Sequence, residues 1–284
     1  MHNRAVMRVH SSDSVEEYAS AASAFLEAEP SARNVLLSIV QMVRAAPDAY
    51  SAPVSFWWIT DGDAVVGAAS WAPPWHLLVS SLPDAAGPKL AGSVHKRAES
   101  LGLRLPGVNG PAEAANTVAL ASGRTIARSR PMLMSELEHP VEVPLPSGSR
   151  RQATLADVQL VASWLEAFSA EVEIYAGDSA RTANRMVRDH EFELWIDAAS
   201  TVCVVGHHAP VGRVVRIGPV YTPPEHRGRG YARRLTYEVS IAALALSGVD
   251  RCMLFTDADN PVSNSIYRQA GYVPRGEHVE IEFT

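Results

Sequence analysis

Cysteine is scarce: the 284 residues hold two, Cys203 and Cys252, both inside apolar, strand-like runs. They read as buried reduced thiols, which excludes a disulfide-stapled scaffold. No metal-finger spacing occurs. No stretch reaches the roughly eighteen apolar residues that a membrane-spanning helix needs. Positive charge is in deficit, with 25 Lys and Arg against 31 Asp and Glu and a net charge of -6. That balance argues against a general binder of nucleic acid or of a membrane surface. The opening run MHNRAVMRVHSSDSVEEY has no apolar signal core and turns acidic early, so a cytoplasmic location is expected. What is present is ordinary globular material, 47% hydrophobic and 20% charged. The length is long for one domain and suits two of middling size.

Apolar positions recur at helical spacing over 14–28, and a second helix is expected over 31–46, before Pro47. The run VSFWWITDGDAVVGAASWAPP reads as two strands around the turn Asp61-Gly62. A short apolar run, WHLLVSSL, then helical stretches at 84–102 and 111–122 and a closing strand, TIARSRPMLMSELE, complete the first half. The proline-bearing segment HPVEVPLPSGSRR reads as a linker. The pattern then restarts. Thr154 and Asp157 form a capping box ahead of Val158, Val161, Leu165 and Phe168 at helical spacing. A polar, helical stretch runs to about His190. Strands are expected at 192–197, 201–207 and 213–222, a helix at 229–247, a strand at 251–257, a helix at 261–269 and a last strand at 272–283. Both halves share one order of elements without a residue-level repeat. The expectation is an α/β fold with mixed sheets, in two copies: residues 1–140, a linker at 141–150, and residues 151–284.

The stretch RIGPVYTPPEHRGRGYARRL carries the clearest chemistry. Ile217, Val220 and Tyr221 have strand character, and Pro223 and Pro224 end the strand. The loop Arg227-Gly228-Arg229-Gly230-Tyr231-Ala232 leads straight into an amphipathic helix with apolar Ala232, Leu235, Val239, Ala242 and Leu246. A helix N-terminus offers free N–H groups and the positive end of the macrodipole. Glycines let successive amides converge on an anion. Arg227, Arg229, Arg233 and Arg234 add positive charge, so the loop suits a pyrophosphate. It is no ATP P-loop, since G-x-x-x-x-G-K-[ST] is absent. Its glycine spacing and its late position in the domain also differ from a dinucleotide fold.

A second stretch, FTDADNPVSNSIYRQAGY, places Asn260 as N-cap and Pro261 at the first helical position, with Gly271 past the end. Asn260, Ser263 or Asn264, and Tyr267 follow one helix face. From spacing alone, Tyr267 reads as an aromatic that packs the helix onto the sheet.

With these two stretches the sequence resembles the GNAT superfamily of N-acetyltransferases. The superfamily's pyrophosphate signature Q/R-x-x-G-x-G/A is met by Arg227, Gly230 and Ala232. Its last-helix pattern, N-x-x-A/S-x-x-x-Y-x-x-x-G-F/Y, is met by Asn260, Ser263, Tyr267, Gly271 and Tyr272. The segment GPVYTPPEHRGRGYA is similar to bacterial GNAT and glycine N-acyltransferase-like domains, and the resemblance covers about 150–284. It implies tandem GNAT-like domains and an acetyl-CoA site. Val220, Tyr221 and Thr222 would pair with the pantetheine arm. The amides of Arg227, Gly228, Arg229, Gly230, Tyr231, Ala232 and Arg233 would hold the pyrophosphate. Asn260 and Ser263 would contact the cofactor arm, and Tyr267 would be the general acid towards the thiolate.

The expected reaction is direct attack of an amine on the thioester. The Val220 N–H would polarise the carbonyl, and Tyr267 would return a proton to sulfur. Glu171 and Glu173 are candidate bases, although a solvated acidic helix end is the plainer reading of both. His207 and His208 read as turn residues. The acceptor is expected to be a primary amine on a small molecule such as an amino acid, an amine metabolite or an aminoglycoside-like drug. A protein or peptide acceptor is the enzyme alternative, and a non-catalytic acyl-CoA-binding regulatory protein is the other class. The first half has no Arg-Gly-x-Gly loop and no tyrosine in its last helix, so it is expected to be a degenerate copy that binds no coenzyme A. Shaping the acceptor site or a homodimer contact are roles open to it. Trp57, Trp58, Trp71 and Trp75 there read as core packing rather than as an acceptor-binding wall.

Overall fold

The computed structural model describes residues 7–50, 52–174 and 177–284. In chain order these form β1 (Arg8–Ser12), α1 (Val15–Ala28), α2 (Asn34–Ala45), β2 (Ser55–Asp61), β3 (Ala64–Trp71), β4 (Leu77–Val79), α3 (Gly87–Leu101), β5 (Gly107–Pro111), α4 (Ala112–Ala121) and β6 (Ile126–Leu137). Then follow β7 (Ser149–Gln152), α5 (Val158–Glu171), α6 (Ser179–Arg188), β8 (Phe192–Asp197), β9 (Ser200–His207), β10 (Val214–Tyr221), α7 (Tyr231–Leu244), β11 (Arg251–Asp257), α8 (Pro261–Gln269) and β12 (Val273–Phe283). The second set repeats the first element for element. Of the polar stretch expected to be helical up to His190, Tyr175 and Ala176 lie outside the described residues, as does the start of the N-terminal run.

The chain divides into two compact units. The first holds the residues up to Met134 together with Asp257–Asp259 and Arg275–Thr284. The second holds Ser135–Thr256 and Asn260–Pro274. The tail of the chain, expected with the second half, therefore belongs to the first unit. There β12 pairs antiparallel with β5, from His278 opposite Pro111 to Glu282 opposite Gly107. Gly107 makes that approach possible, because a Cβ there would lie 2.0 Å from the Ile281 carbonyl oxygen.

In the first unit β1, β2, β3 and β4 pair antiparallel in sequence, and β4 then pairs parallel with β5. In the second unit β7, β8, β9 and β10 pair antiparallel, and β10 then pairs parallel with β11. One topology is thus used twice. Neither β1 nor β7 was expected. Both are short and polar, RVHSS and SRRQ, and neither has a buried residue, so no alternation of apolar residues betrays them.

Side chains build these elements as local chemistry dictates. The Ser14 hydroxyl caps α1 by accepting from the Glu17 N–H at 3.3 Å. Gly102, at φ +64°, closes α3. The capping box at Thr154 and Asp157 forms, and Arg151 clamps the Asp157 carboxylate at 2.7 Å and 2.8 Å. Trp57 and Trp71 are fully buried in the first unit's core with Leu90, Val108 and Ile281, and Trp58 is buried too. Trp75 departs from the packing expectation and is 42% exposed.

The second unit's sheet carries a core on each face. Val205, Val215 and Ile217 meet Leu235 and Val239 of α7. Val204 and Tyr221 meet Leu165 of α5 and Met186 of α6. The segment 141–150 is no free tether. The Val141 N–H donates to Ala270, Arg234 donates to the Val143 carbonyl, and Trp195 donates to the Ser147 carbonyl, at 3.0, 3.0 and 2.8 Å. Its prolines break periodicity, but its backbone carbonyls are partners for the second unit.

Candidate functional site

The site is assembled at the C-terminal end of β10. The parallel ladder to β11 runs from Val214 opposite Arg251 to Arg216 opposite Met253 and stops there, although both strands continue. From Ile217 to Tyr221 the edge of β10 towards β11 is therefore open, and unpaired strand edge is a ready partner for an extended amide chain. On its other edge, β10 shifts register against β9, from Ile217 opposite His207 to Val220 opposite Val205. This inserts one residue, a β-bulge, which re-aims the backbone just before Val220. Gly206 lets the bulge close, since a Cβ there would lie 2.8 Å from the Gly218 carbonyl oxygen. Val220 is half-buried against the α7 face.

Beyond β10, Pro223 and Pro224 turn the chain into the glycine loop. Gly228 and Gly230 take φ of +76° and +84°, the left-handed region that glycine enters freely. Gly230 is the N-cap of α7 and supplies no side-chain cap. The first helical backbone bond is Arg234 N–H to the Gly230 carbonyl at 3.0 Å. The consecutive N–H groups of Gly228 through Arg233 have no partner among the described residues. A run of uncapped amides at a helix N-terminus, turned by two left-handed glycines, has the chemistry to hold an anion.

The side chains of the loop have other duties. Arg227 donates through Nε to the Thr222 carbonyl at 2.9 Å and through Nη2 to Glu171 at 2.6 Å, and it lies over the Tyr221 ring. Glu171, expected as a base, is thus tied to the loop by an ion pair at the exposed end of α5. Exposed Glu173 follows, at φ +51°. Tyr231 turns into the core at 2% exposure and donates its hydroxyl to Asp197, so only its amide faces the loop. Ala232 packs on the same core, and Arg233 bonds Gln269. Arg234 is drawn away to Glu238 at 2.7 Å and to the Val143 carbonyl. The buried face of α7 is Tyr231, Leu235, Val239 and Ala243, and the expected Ala242 and Leu246 are exposed.

On α8, the Asn260 side chain caps the helix by accepting from the Ser263 N–H at 3.0 Å. Thr256 donates to Asn264 at 2.6 Å. Tyr267 packs edge-on against Tyr272 at 5.9 Å, and the Tyr267 hydroxyl has no hydrogen-bond partner among the described residues. Burial and the nearby Cys203 thiol both push its phenol above the usual value. At neutral pH it is a proton donor. Cys203 lies beneath, beside the Thr222 hydroxyl, and burial pushes its thiol up to about 12, which leaves it inert. Cys252 is buried likewise.

Sequence reasoning missed Asp197 and Gln269, which reach the loop from a hairpin tip and from the end of α8. Their separation from the loop in the chain hid them. No group of three or more His, Cys, Asp or Glu that could hold a metal occurs among the described residues. No helix there is long and apolar enough to cross a membrane.

This site lies within a segment that known families recognise. Residues 159–272 match the model of the acetyltransferase (GNAT) family. A mycothiol acetyltransferase of Streptomyces scabiei is 28% identical over 177 residues, covering 58% of this chain and 56% of that protein. The match thus spans little more than half of that curated relative. Among solved structures, a GCN5-related N-acetyltransferase from Sphaerobacter thermophilus covers 98% of this chain and 95% of its own at 15% identity, with a TM-score of 0.65. A tandem GNAT protein from the clavulanic acid biosynthesis pathway covers 97% of this chain and 98% of its own at 13% identity, with a TM-score of 0.60. An acetyltransferase from Colwellia psychrerythraea covers 98% of this chain and 100% of its own at 13% identity, with a TM-score of 0.57. These structural likenesses span both units and agree with the repeated topology. The match to the acetyltransferase (GNAT) family thus lies in residues 159–272, the segment that holds the glycine loop and α8.

Proposed function

We propose that the chain is an acetyl-CoA-dependent N-acetyltransferase that acetylates a primary amine on a small molecule by direct attack on the thioester. The observation that carries this reading is the meeting, in one unit, of the uncapped amides of Gly228 through Arg233, the open edge of β10 and the unpartnered Tyr267 hydroxyl. Acetyl-CoA supplies an activated acyl group and a pyrophosphate. The loop amides and the dipole of α7 hold the pyrophosphate. The edge at Val220, Tyr221 and Thr222 pairs with the pantetheine amides, and the Val220 N–H, re-aimed by the bulge, polarises the carbonyl. The C–N bond forms as the C–S bond breaks, Tyr267 gives its proton to the departing sulfur, and the proton lost by the amine passes to solvent, which reprotonates Tyr267. Asn260 and Ser263 border the cofactor arm at the start of α8. Glu171 serves the loop through Arg227. The name of the Streptomyces relative, a mycothiol acetyltransferase, supports a small-molecule acceptor over a protein one.

The first unit, in this reading, is a copy that has lost its coenzyme A site. At the place of the loop, α3 opens with Gly87-Pro88, whose proline has no N–H, and Asp84 stands just before it. A Cβ on Gly87 would meet Thr117 Cγ2 at 2.4 Å, so this glycine serves helix packing rather than anion approach.

The test is free-thiol release from acetyl-CoA across a panel of small amines and peptides, with wild type and Tyr267→Phe. Removing a general acid lowers kcat by about 10²–10⁴-fold while acetyl-CoA affinity holds. Unchanged turnover in Tyr267→Phe removes the tyrosine from the mechanism. Tight binding with no release for any amine makes the protein an acyl-CoA-binding module.

A further inference from the structure

We propose that Asp197 is a positioning residue for the pyrophosphate loop, setting the direction of its amides through Tyr231. The proposal rests on the coenzyme A reading of that loop. Asp197 ends β8 and pairs with Ser200 across a two-residue turn of Ala198 and Ala199. Those alanines sit at φ +46° and +65°, where L-residues rarely go and where Asn-Gly is usual. The tip is held there by what its carboxylate binds. It accepts from the Tyr231 hydroxyl, and that bond, the nearby Ser147 hydroxyl and the Arg229 charge hold its carboxyl below the usual value. Ser147 is itself tied down, because its carbonyl accepts from Trp195 Nε1 at 2.8 Å and neighbouring Gly148 leaves no room for a Cβ.

Tyr231 directly follows Gly230, the left-handed pivot of the loop. Asp197 therefore grips the residue next to the one that aims the amides. An anion so close to an anion site opposes the ligand electrostatically. Its presence is explained if the order it imposes on the loop outweighs that repulsion. The carboxylate works through Tyr231, and no contact with the ligand is needed.

The experiment compares affinities for CoA and for pantetheine, which lacks the pyrophosphate, by calorimetric or NMR titration. Asp197→Ala is expected to weaken CoA about tenfold and to leave pantetheine unchanged. Tyr231→Phe should reproduce the loss, and the double variant should be no worse than either single one, because both break one contact. Asp197→Asn, whose amide oxygen still accepts from Tyr231, should recover most of the affinity. Equal or tighter CoA binding by Asp197→Ala overturns the proposal, and so does an equal loss of CoA and pantetheine, which marks general damage. If wild type prefers neither ligand, the pyrophosphate reading of the loop itself fails, and that outcome is distinct from a failure of Asp197 alone.

Discussion

The sharpest test of the loop is Gly230→Ala. Gly230 sits at φ +84°, and a Cβ there would find Arg233 Nη2 at 3.6 Å, an ordinary contact. The substitution therefore acts through backbone strain and not through collision. Holding alanine in the left-handed region costs roughly 1–2 kcal/mol. If the chain keeps its conformation, stability falls by that amount, a Tm loss of roughly 2–8 °C. If it relaxes to negative φ, the flanking peptides rotate and one or more amides turn away from the cradle. A hydrogen bond to a charged group contributes about 1.5–3 kcal/mol, so CoA affinity falls about ten- to a hundredfold. Gly248 provides the control. It has φ +82° and open space around a Cβ, and it follows the far end of α7, roughly 20 Å along the helix. Gly248→Ala should show the same stability loss and normal CoA binding. Thermal melts and calorimetric titration of both variants decide the matter. A stability loss well below that of Gly248→Ala, which marks relaxation of the backbone at Gly230, together with unchanged CoA affinity would refute the cradle.

Other consequences can be measured as directly. Burial lowers the His278 pKa to about 4, against about 6.5 unfolded. Between those values the unfolded chain binds the extra proton, so this stability is complete above about pH 6.5 and is lost as pH falls towards 4. Its limit is about 3 kcal/mol. His278→Gln should flatten that slope in urea melts taken from pH 4 to 7. Leu235 is fully buried on α7, and Leu235→Ala should lose roughly 2–5 kcal/mol in urea unfolding. The folded fraction should bind CoA normally, because Leu235 faces the core and the amides face the loop.

Much of the fold was legible where one rule governed a local stretch. The helix starts at Ser14, Thr154 and Asn260 are chemical, since a side-chain oxygen beside free N–H groups caps a helix wherever it occurs. The strands at Phe192–Asp197 and Arg251–Asp257 showed in their apolar runs. The strands β1 and β7 did not show, because a polar edge strand is specified by its neighbour and not by its own residues.

The site divides in the same way. The loop proposed to hold the pyrophosphate was legible in the sequence, since two glycines, a proline stop and an amphipathic helix fix its backbone by rules that act within a few residues. The position of Tyr267 on α8 follows from a cap and a helical period. Tertiary structure decided the rest, because contacts between distant segments depend on packing. It gave Glu171 to Arg227, turned Tyr231 into the core and brought Asp197 to the loop. It opened the edge of β10 beyond Arg216 by ending a ladder while both strands ran on. It also moved Arg275–Thr284 into the first unit, where β5 supplies the hydrogen-bonding edge for β12. A strand's partner is chosen by whichever free edge the folded chain presents, and no periodicity along the strand records that choice.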